Sequence, residues 1–564
     1  MEKISRRKFI SQTSILGAGA LTFGFSQLKS LTLKDRAFDI VIKDGEIIDG
    51  TGSVGFNGDI GIKDGKIAFI GKLKEFEARL VINADGLKVS PGFIDIHSHT
   101  DADLLLNPNA ESKVRQGVTT EITGQDGFSW GPLGGPEFEE KKKQFNDNYG
   151  EELKWFTIKD FLDDLSGRKF SVNIATMVGL GTIREFVIGL EDRVANSDEI
   201  QKMQDEVLKA IEQGAIGLSS GLEYIPDSFA STKELIEVCR VVPEQYRLYA
   251  SHIRNEDNYV LEAIDEAIEI ARKSNSRLQI SHLKVSGKTN WWKVDEVLRK
   301  IDEAIKNGLD IHADRYPYIA YHTMLSSLLP LWVREGGTRR LLERLKSRER
   351  IYEVRQFVEK EVSNLEGEWN GVLISSVGNE KFRAYQGKTI KQLSEEIGMD
   401  GFETTVKIII ETENQVMMMG FGMEETSTEK IIAHPNVMIS SDAGIHAPYP
   451  PMNRKIAHPR AYGTFPRAIS KYVRERKICS LEEMIRKMTS MPAEKIGLKD
   501  RGKIVEGYFA DIVIFDYDKI QDKATFTEPH QYPDGIPYVI INGQVVVSNY
   551  EHTGIMSGKV IKSI

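Results

Sequence analysis

At 564 residues the chain is long enough for more than one domain, or for one large domain with additions. An apolar fraction of 40% and a charged fraction of 28% are those of a globular protein and exclude a fibrous or low-complexity class. A formal net charge of −9 argues against a nucleic-acid binder, and the two cysteines, Cys239 and Cys479, exclude a disulfide framework or a CxxC zinc ribbon.

The N-terminal stretch stands apart. Ser5-Arg6-Arg7-Lys8-Phe9-Ile10 precedes a short glycine- and alanine-rich apolar run, Ile15 to Phe25. A basic segment opened by paired arginines, followed by such a run, predicts a twin-arginine secretory signal over 1–35. The expected partner is the twin-arginine export machinery, and the expected location is the periplasm or beyond. An uncleaved signal would hold the chain at the membrane. The run is too short and too glycine-rich to predict a membrane span, and no lipobox cysteine is present.

Residues 38–49 and 59–71 each read as a strand, a D-G turn and a second strand. Residues 510–515 and 539–547 are strand-like as well. The two flanks, 36–90 and 497–564, are therefore expected to form one small β-sandwich from both chain ends. Between them, short apolar strands alternate with helical patterns such as 200–213 and 258–273. The strands are expected at 93–99, 118–124, 172–179, 215–222, 248–253, 278–285, 310–316 and 437–443. This α/β pattern predicts a (β/α)8 TIM-type barrel over 91–496, with a doubly wound open sheet as the alternative. The stretch 319–436 exceeds one connection and is expected to be a helical insertion over the barrel mouth.

Chemistry-bearing residues gather at the ends of these strands. Pro91-Gly92-Phe93-Ile94-Asp95-Ile96-His97-Ser98-His99 opens the first. Strand periodicity turns His97 and His99 to one side, where neutral imidazoles can chelate a metal. His252 and His282 end the fifth and sixth strands, and Asp442 ends the eighth. Any one of them alone is better read as an ordinary rim residue. Four of the chain's 11 histidines and an aspartate placed by one rule point to a metal site.

This pattern resembles the amidohydrolase superfamily, and the finer resemblance is to N-acyl-D-amino-acid deacylases, or D-aminoacylases. It is carried by Asn107 to Thr120, by Ser251-His252-Ile253-Arg254-Asn255-Glu256 and by Ile280-Ser281-His282-Leu283-Lys284. Asp314-Arg315-Tyr316-Pro317-Tyr318 and His458-Pro459-Arg460-Ala461-Tyr462-Gly463-Thr464-Phe465 carry it further. It covers about residues 38 to 550. Two positions depart from the family pattern. Its G-N-C-G turn after strand two is here Gly124-Gln125-Asp126-Gly127, and a histidine expected after strand three is Leu180.

The resemblance implies one tight metal held by Asp126, His252 and His282, and a second, weaker position facing His97 and His99. Zinc is the expected ion. The harder carboxylate of Asp126 shifts preference toward manganese or iron. Asp442 is expected to move the proton of the attacking water, Lys284 and Arg460 to hold a substrate carboxylate, and Tyr316 or Tyr318 to polarise the acyl oxygen. The implied substrate is a small N-acyl-D-amino acid, hydrolysed at its amide bond. A D-residue dipeptidase and a cyclic-amide hydrolase of the hydantoinase or dihydroorotase kind remain open as alternatives. So does a non-catalytic periplasmic binding protein.

Overall fold

A computed structural model describes residues 37–135, 138–242, 247–348 and 350–562, and the signal expected over 1–35 lies outside them. Five strands come first: β1 (Ala37–Ile47), β2 (Phe56–Lys63), β3 (Lys66–Gly71), β4 (Glu77–Asn83) and β5 (Lys88–Pro91). Parallel strands follow: β6 (Phe93–Asp95), β7 (Val118–Thr123), β8 (Asn173–Thr176), β9 (Val178–Gly179), β10 (Gly217–Gly221), β11 (Leu248–His252), β12 (Arg277–Ile280) and β13 (Ile311–Arg315). Three more, β14 (Tyr321–Met324), β15 (Val372–Val377) and β16 (Val416–Gly420), precede β17 (Val437–Ile439). The chain ends with β18 (Ile512–Phe515), β19 (Tyr538–Ile541), β20 (Gln544–Ser548) and β21 (Glu551–His552).

Both chain flanks share one nine-stranded sheet, in which β18 runs antiparallel to β5 with Ile512 opposite Pro91. Alternate isoleucines on its buried face, among them Ile40, Ile42, Ile60, Ile62, Ile512 and Ile514, make one apolar core. The sheet hands over directly to β6, since only Gly92 separates β5 from it. Gly92 has no room for a side chain: an added Cβ would sit 2.2 Å from the Thr119 hydroxyl oxygen.

The parallel strands form two runs, β6-β7-β8 and β9-β10-β11-β12-β13-β17. β8 and β9 are one strand interrupted at Met177, and Ile216 N donates to Thr176 O across the join (2.9 Å). At the other end, Ser98 bridges Ala443 in parallel, beyond the ends of β6 and β17. Each of the eight parallel segments therefore has a neighbour on both sides. Their residues are nearly all buried, as expected of parallel strands covered by helices. One covering helix, Ser197–Glu212, shows why these segments fold locally. Asn196 and Glu199 make a reciprocal capping box at its start. Its Met203, Val207, Ala210 and Ile211 recur at helical spacing and are buried.

The eight observed strands lie within the expected segments or within one residue of them. The insertion departs from expectation. It is mixed rather than helical: β14, β16 and β15 form a three-stranded antiparallel sheet beside helices such as Ile351–Ser363 and Gly401–Glu411. It has its own core, including Leu328, Val358, Phe402 and Met418. β14 (Tyr-His-Thr-Met) and β16 (Val-Met-Met-Met-Gly) carry few β-branched residues and no clean apolar alternation, so their strand character was hidden. Among the described residues no helix is long and apolar enough to cross a membrane.

Candidate metal centre and active-site cavity

Beyond the last ladder residue of β6, the backbone bends at Ile96 and His97, and both neighbours grip it from His97 to His99. Ser98 N donates to Ile122 O (3.0 Å), His99 N to Ala443 O (3.2 Å), and Asp442 N to His97 O (2.9 Å). The histidine pair thus sits just past the strand proper, wedged between the ends of β7 and β17.

Three of the expected site residues have left-handed backbones: Asp126 (φ 53°), His282 (φ 34°) and Asp442 (φ 49°). Such conformations cost energy for residues with a Cβ and persist only where surroundings over-determine them. For His282 the fixing contact is its own N–H, which donates to Asp314 Oδ1 at 2.9 Å. Asp314 in turn accepts from Ser440 Oγ (2.6 Å) and Gln279 Nε2 (2.7 Å), which ties β12, β13 and β17 together under the site.

Four donors converge at one point. His97 Nε2 and His99 Nε2 lie 3.3 Å apart. Asp126 Oδ2 is 3.3 Å from the first and 3.4 Å from the second. Asp442 Oδ1 is 3.6 Å from the His97 nitrogen and 3.0 Å from the His99 nitrogen. A tetrahedral ion with bonds of about 2.0–2.1 Å spaces its donors about 3.3–3.4 Å apart, so these side chains fit a metal of zinc's size. A second set shares the same carboxylate. Asp126 Oδ2 is 3.4 Å from His282 Nε2, which lies 2.9 Å from His252 Nδ1. The other ring nitrogen, His97 Nδ1, is turned away from this point toward Asp314 Oδ1 at 3.7 Å.

The electrostatics favour positive charge here. Burial opposes ionisation of Asp126, but His97 and His282 outweigh it and hold the carboxyl well below the usual range. Asp442 behaves alike: burial is overcome first by Arg460, then by His282, His99 and His97. His99 is pushed up to about 10, because Asp126 and Asp442 outweigh the effect of burial. A pocket that draws a proton this strongly also favours a cation.

The expected substrate residues divide. Arg460 Nη1 pairs with Asp442 Oδ2 (2.8 Å), and its guanidinium stacks on Tyr316. Lys284 Nζ lies between Glu256 Oε1 (2.5 Å) and His282 Nδ1 (2.8 Å), leaving part of its donor capacity free. Tyr316 is fully buried, and its hydroxyl has no partner. All three line a cavity of about 920 Å³ with His99, Asp126 and Asp442. Tyr318 does not line it, for its hydroxyl donates to Asp522 Oδ2 (3.2 Å) and its ring packs against Arg467. Leu180 is packed in the apolar core, consistent with its lack of donor chemistry.

Two carboxylates were not assigned a role from sequence. Glu256 Oε1 is 3.1 Å from His282 Nδ1, and Glu223 Oε2 is 3.4 Å from His252 Nε2. Each faces the outward nitrogen of a candidate ligand, the usual place for a group that fixes an imidazole's tautomer and orientation. The available signal for Glu256 was its position four residues after His252. Glu223 had none, since only folding brings β10 beside β11.

Known proteins resemble this chain over nearly its whole length. The amidohydrolase family profile matches residues 383–547. D-aminoacylase of Alcaligenes xylosoxydans xylosoxydans is 32% identical over 526 residues, covering 93% of this chain and 98% of that protein. N-acyl-D-aspartate deacylase of the same organism is 31% identical, covering 92% and 93%. The crystal structure of N-acyl-D-glutamate deacylase from Bordetella bronchiseptica, complexed with zinc and a phosphonate inhibitor, superposes with a TM-score of 0.79. It shares 29% identity and covers 93% of this chain and 100% of its own. This chain belongs to the D-aminoacylase family, the N-acyl-D-amino-acid deacylases among the amidohydrolases.

Proposed function

We propose that the protein is a metal-dependent hydrolase that cleaves N-acyl-D-amino acids into a carboxylate and a free D-amino acid. The observation that carries this reading is the Asp126 carboxylate within 3.4 Å of His97, His99 and His282 nitrogens, beside a buried Asp442–Arg460 pair. His97, His99, Asp126, His252 and His282 would hold zinc, or manganese or iron given the hard Asp126 ligand. Bound there, a divalent metal supplies Lewis-acid polarisation and lowers the pKa of water.

The remaining chemistry belongs to the chain's own side chains. Asp442 is kept ionised and accepts a proton from the attacking water, then returns it to the departing amine nitrogen. Arg460 and Lys284 hold the α-carboxylate, with Arg460 also fixing the Asp442 carboxylate. The unpartnered Tyr316 hydroxyl donates to the acyl oxygen as negative charge develops there. Glu223 and Glu256 orient the histidines behind the metal.

The fold reading follows the same logic. The unbroken succession of parallel neighbours supports a closed (β/α)8 TIM-type barrel over 91–496, and the shared terminal sheet supports a small β-sandwich from 36–90 and 497–564. Residues 1–35 are read as the twin-arginine signal that directs export to the periplasm. Changing Arg6 and Arg7 to Lys is expected to leave folded protein in the cytoplasm. Unchanged periplasmic recovery in cell fractions would refute that route.

The catalytic reading is tested on purified protein by elemental analysis of bound metal, then kinetics on matched N-acetyl-D- and N-acetyl-L-amino acids. With both substrate ends held, the wrong enantiomer drives its side chain into the cavity wall. The D form is expected to have kcat/KM at least about 10²-fold higher, equivalent to about 2.7 kcal/mol. Equal values for the two hands would overturn it.

A further inference from the structure

A second, smaller cavity of about 330 Å³ adjoins the main one, and the two share His99, Phe128 and Tyr149 as walls. Its remaining apolar lining is Trp130, Leu133 and Phe145. These rings form one packed set: Trp130 meets Phe128 edge-on at 5.3 Å between centroids and Phe145 at 5.1 Å, while Phe145 lies 4.8 Å from Tyr149. They come from two places only, the loop that follows Asp126 and the inner face of the helix Phe138–Tyr149. The same loop therefore delivers both the proposed metal carboxylate and an aromatic chamber beside it. A dry cavity of about 150 Å³ is enough to take up a benzene-sized ring, so this one has room for a substituent far larger than a methyl group.

The polar groups around the chamber decide which end of a substrate enters. Beside His99 and Asp101 these are the uncharged amides Gln144 and Asn148 and one lysine, Lys141, which is already paired with Glu185 at 2.7 Å. Asp101, buried at the chamber wall, offers an acceptor and no cation. With His99 engaged by the metal, a substrate α-carboxylate finds no free cation among the described residues there, whereas Arg460 and Lys284 line the main cavity only. The chamber accordingly suits a neutral apolar group. In an N-acyl-amino acid, the acyl substituent is bonded directly to the carbonyl carbon that must lie at the metal ligands. The amino-acid side chain is three bonds away and is tethered by the carboxylate toward Arg460 and Lys284. The group next to His99 is thus the acyl chain.

We infer that this chamber is an acyl-binding subsite, and that the enzyme takes N-acyl-D-amino acids whose acyl group is apolar and larger than acetyl, such as phenylacetyl or hexanoyl. This inference rests on the deacylase reading and deepens it. The experiment uses the metal-loaded full enzyme and one fixed D-amino acid carrying acetyl, butanoyl, hexanoyl or phenylacetyl groups. kcat/KM is expected to rise at least about tenfold from acetyl to hexanoyl or phenylacetyl, since each buried methylene contributes up to about fourfold. Phe128→Ala, at a position 41% exposed and so tolerant of truncation, is expected to collapse the phenylacetyl-to-acetyl ratio by at least about fivefold. Trp130→Ala is expected to do the same. A wild-type ratio at or below one, with the acetyl substrate turned over, overturns the acyl subsite and leaves the deacylase reading standing. So does a Phe128→Ala effect that follows amino-acid side-chain size at constant acetyl rather than acyl size. No hydrolysis of any N-acyl-D-amino acid overturns both.

Discussion

Asp442 stands at the meeting point of two demands. One oxygen faces the His97 and His99 nitrogens and the other pairs with Arg460, so the carboxylate is ionised and aimed. Replacing it by Asn preserves shape and removes the proton acceptor. Asp442→Asn is expected to lose about 10²–10⁴-fold in kcat, the usual scale for general acid–base catalysis. It should keep most of its bound metal, because Asp126, His252 and His282 hold it independently. Parallel kinetics and elemental analysis check this. A variant within a few-fold of wild type would give the proton transfer to another group. Asp126 is the contrasting case. Its Oδ2 faces the His97 and His99 nitrogens on one side and the His282 nitrogen on the other.

At the scale of elements, the parallel strands are pinned behind the site by a buried cation. Lys113, fully inaccessible, meets Asp95 Oδ2 of β6 and Glu121 Oε1 of β7 at 2.9 Å each. It also donates to Ser441 Oγ (2.8 Å) and Ala443 O (2.7 Å), just past β17. One ammonium thus joins the first, second and last parallel strands directly beneath His97, His99 and Asp442. Lys113→Met would leave two buried carboxylates without their cation, a loss of about 3–5 kcal/mol. Chemical denaturation measures it, and a loss below about 1 kcal/mol would show that the network is not held by this charge. The terminal sheet has its own buried acid. Asp59 accepts from Asp44 N (2.9 Å), Leu73 N (2.7 Å) and Lys43 Nζ (2.9 Å). Burial raises its pKa, yet those donors prevail and the carboxyl sits below its ordinary value. A depressed folded-state pKa stabilises above the unfolded value of about 3.9 and is lost as pH falls through the folded one. Asp59→Asn should therefore cost about 1–3 kcal/mol at pH 7. Its deficit relative to wild type should shrink below about pH 4. A deficit independent of pH would mean that shape, not charge, matters there.

At the scale of the whole molecule, the metal position is where the end of β11 meets the segments that follow β6, β7, β12 and β17. An ion bound there and absent from the unfolded chain stabilises by about 2.7 kcal/mol when free metal is a hundred times its dissociation constant. Chelation is expected to lower Tm and abolish activity together, with both restored by added zinc or manganese. A Tm unmoved by chelation would place the ion's ligands outside the folded core. The insertion completes the same cavity from above: Tyr321, His322, Leu328 and Met417 line it, and Leu328, with Tyr321 packed beside it, belongs to the insertion's own core. Substrate access is thereby built from two bodies of side chains, the strand ends below and the inserted sheet above.

The strand succession, the shared terminal sheet and the residues His97, His99, His252, His282 and Asp442 were all legible in the sequence. Period-two apolar runs and the placing of histidines at strand ends are local signals, and parallel strands amplify them by aligning every C-terminal end on one side. Asp126 was legible only through the family resemblance, because one aspartate in a Gly-Gln-Asp-Gly turn is locally an ordinary turn residue. Two strands of the insertion, β14 (Tyr-His-Thr-Met) and β16 (Val-Met-Met-Met-Gly), lacked any such period. Tertiary structure alone decided between Tyr316 and Tyr318, since residues two apart on a chain that bends after β13 face different neighbours. It alone brought Glu223, Glu256 and Lys113 to the site and set the aromatic chamber beside His99. Those arrangements depend on charges and rings from distant segments converging. No local pattern encodes that convergence, because its energy exists only once the strands have paired.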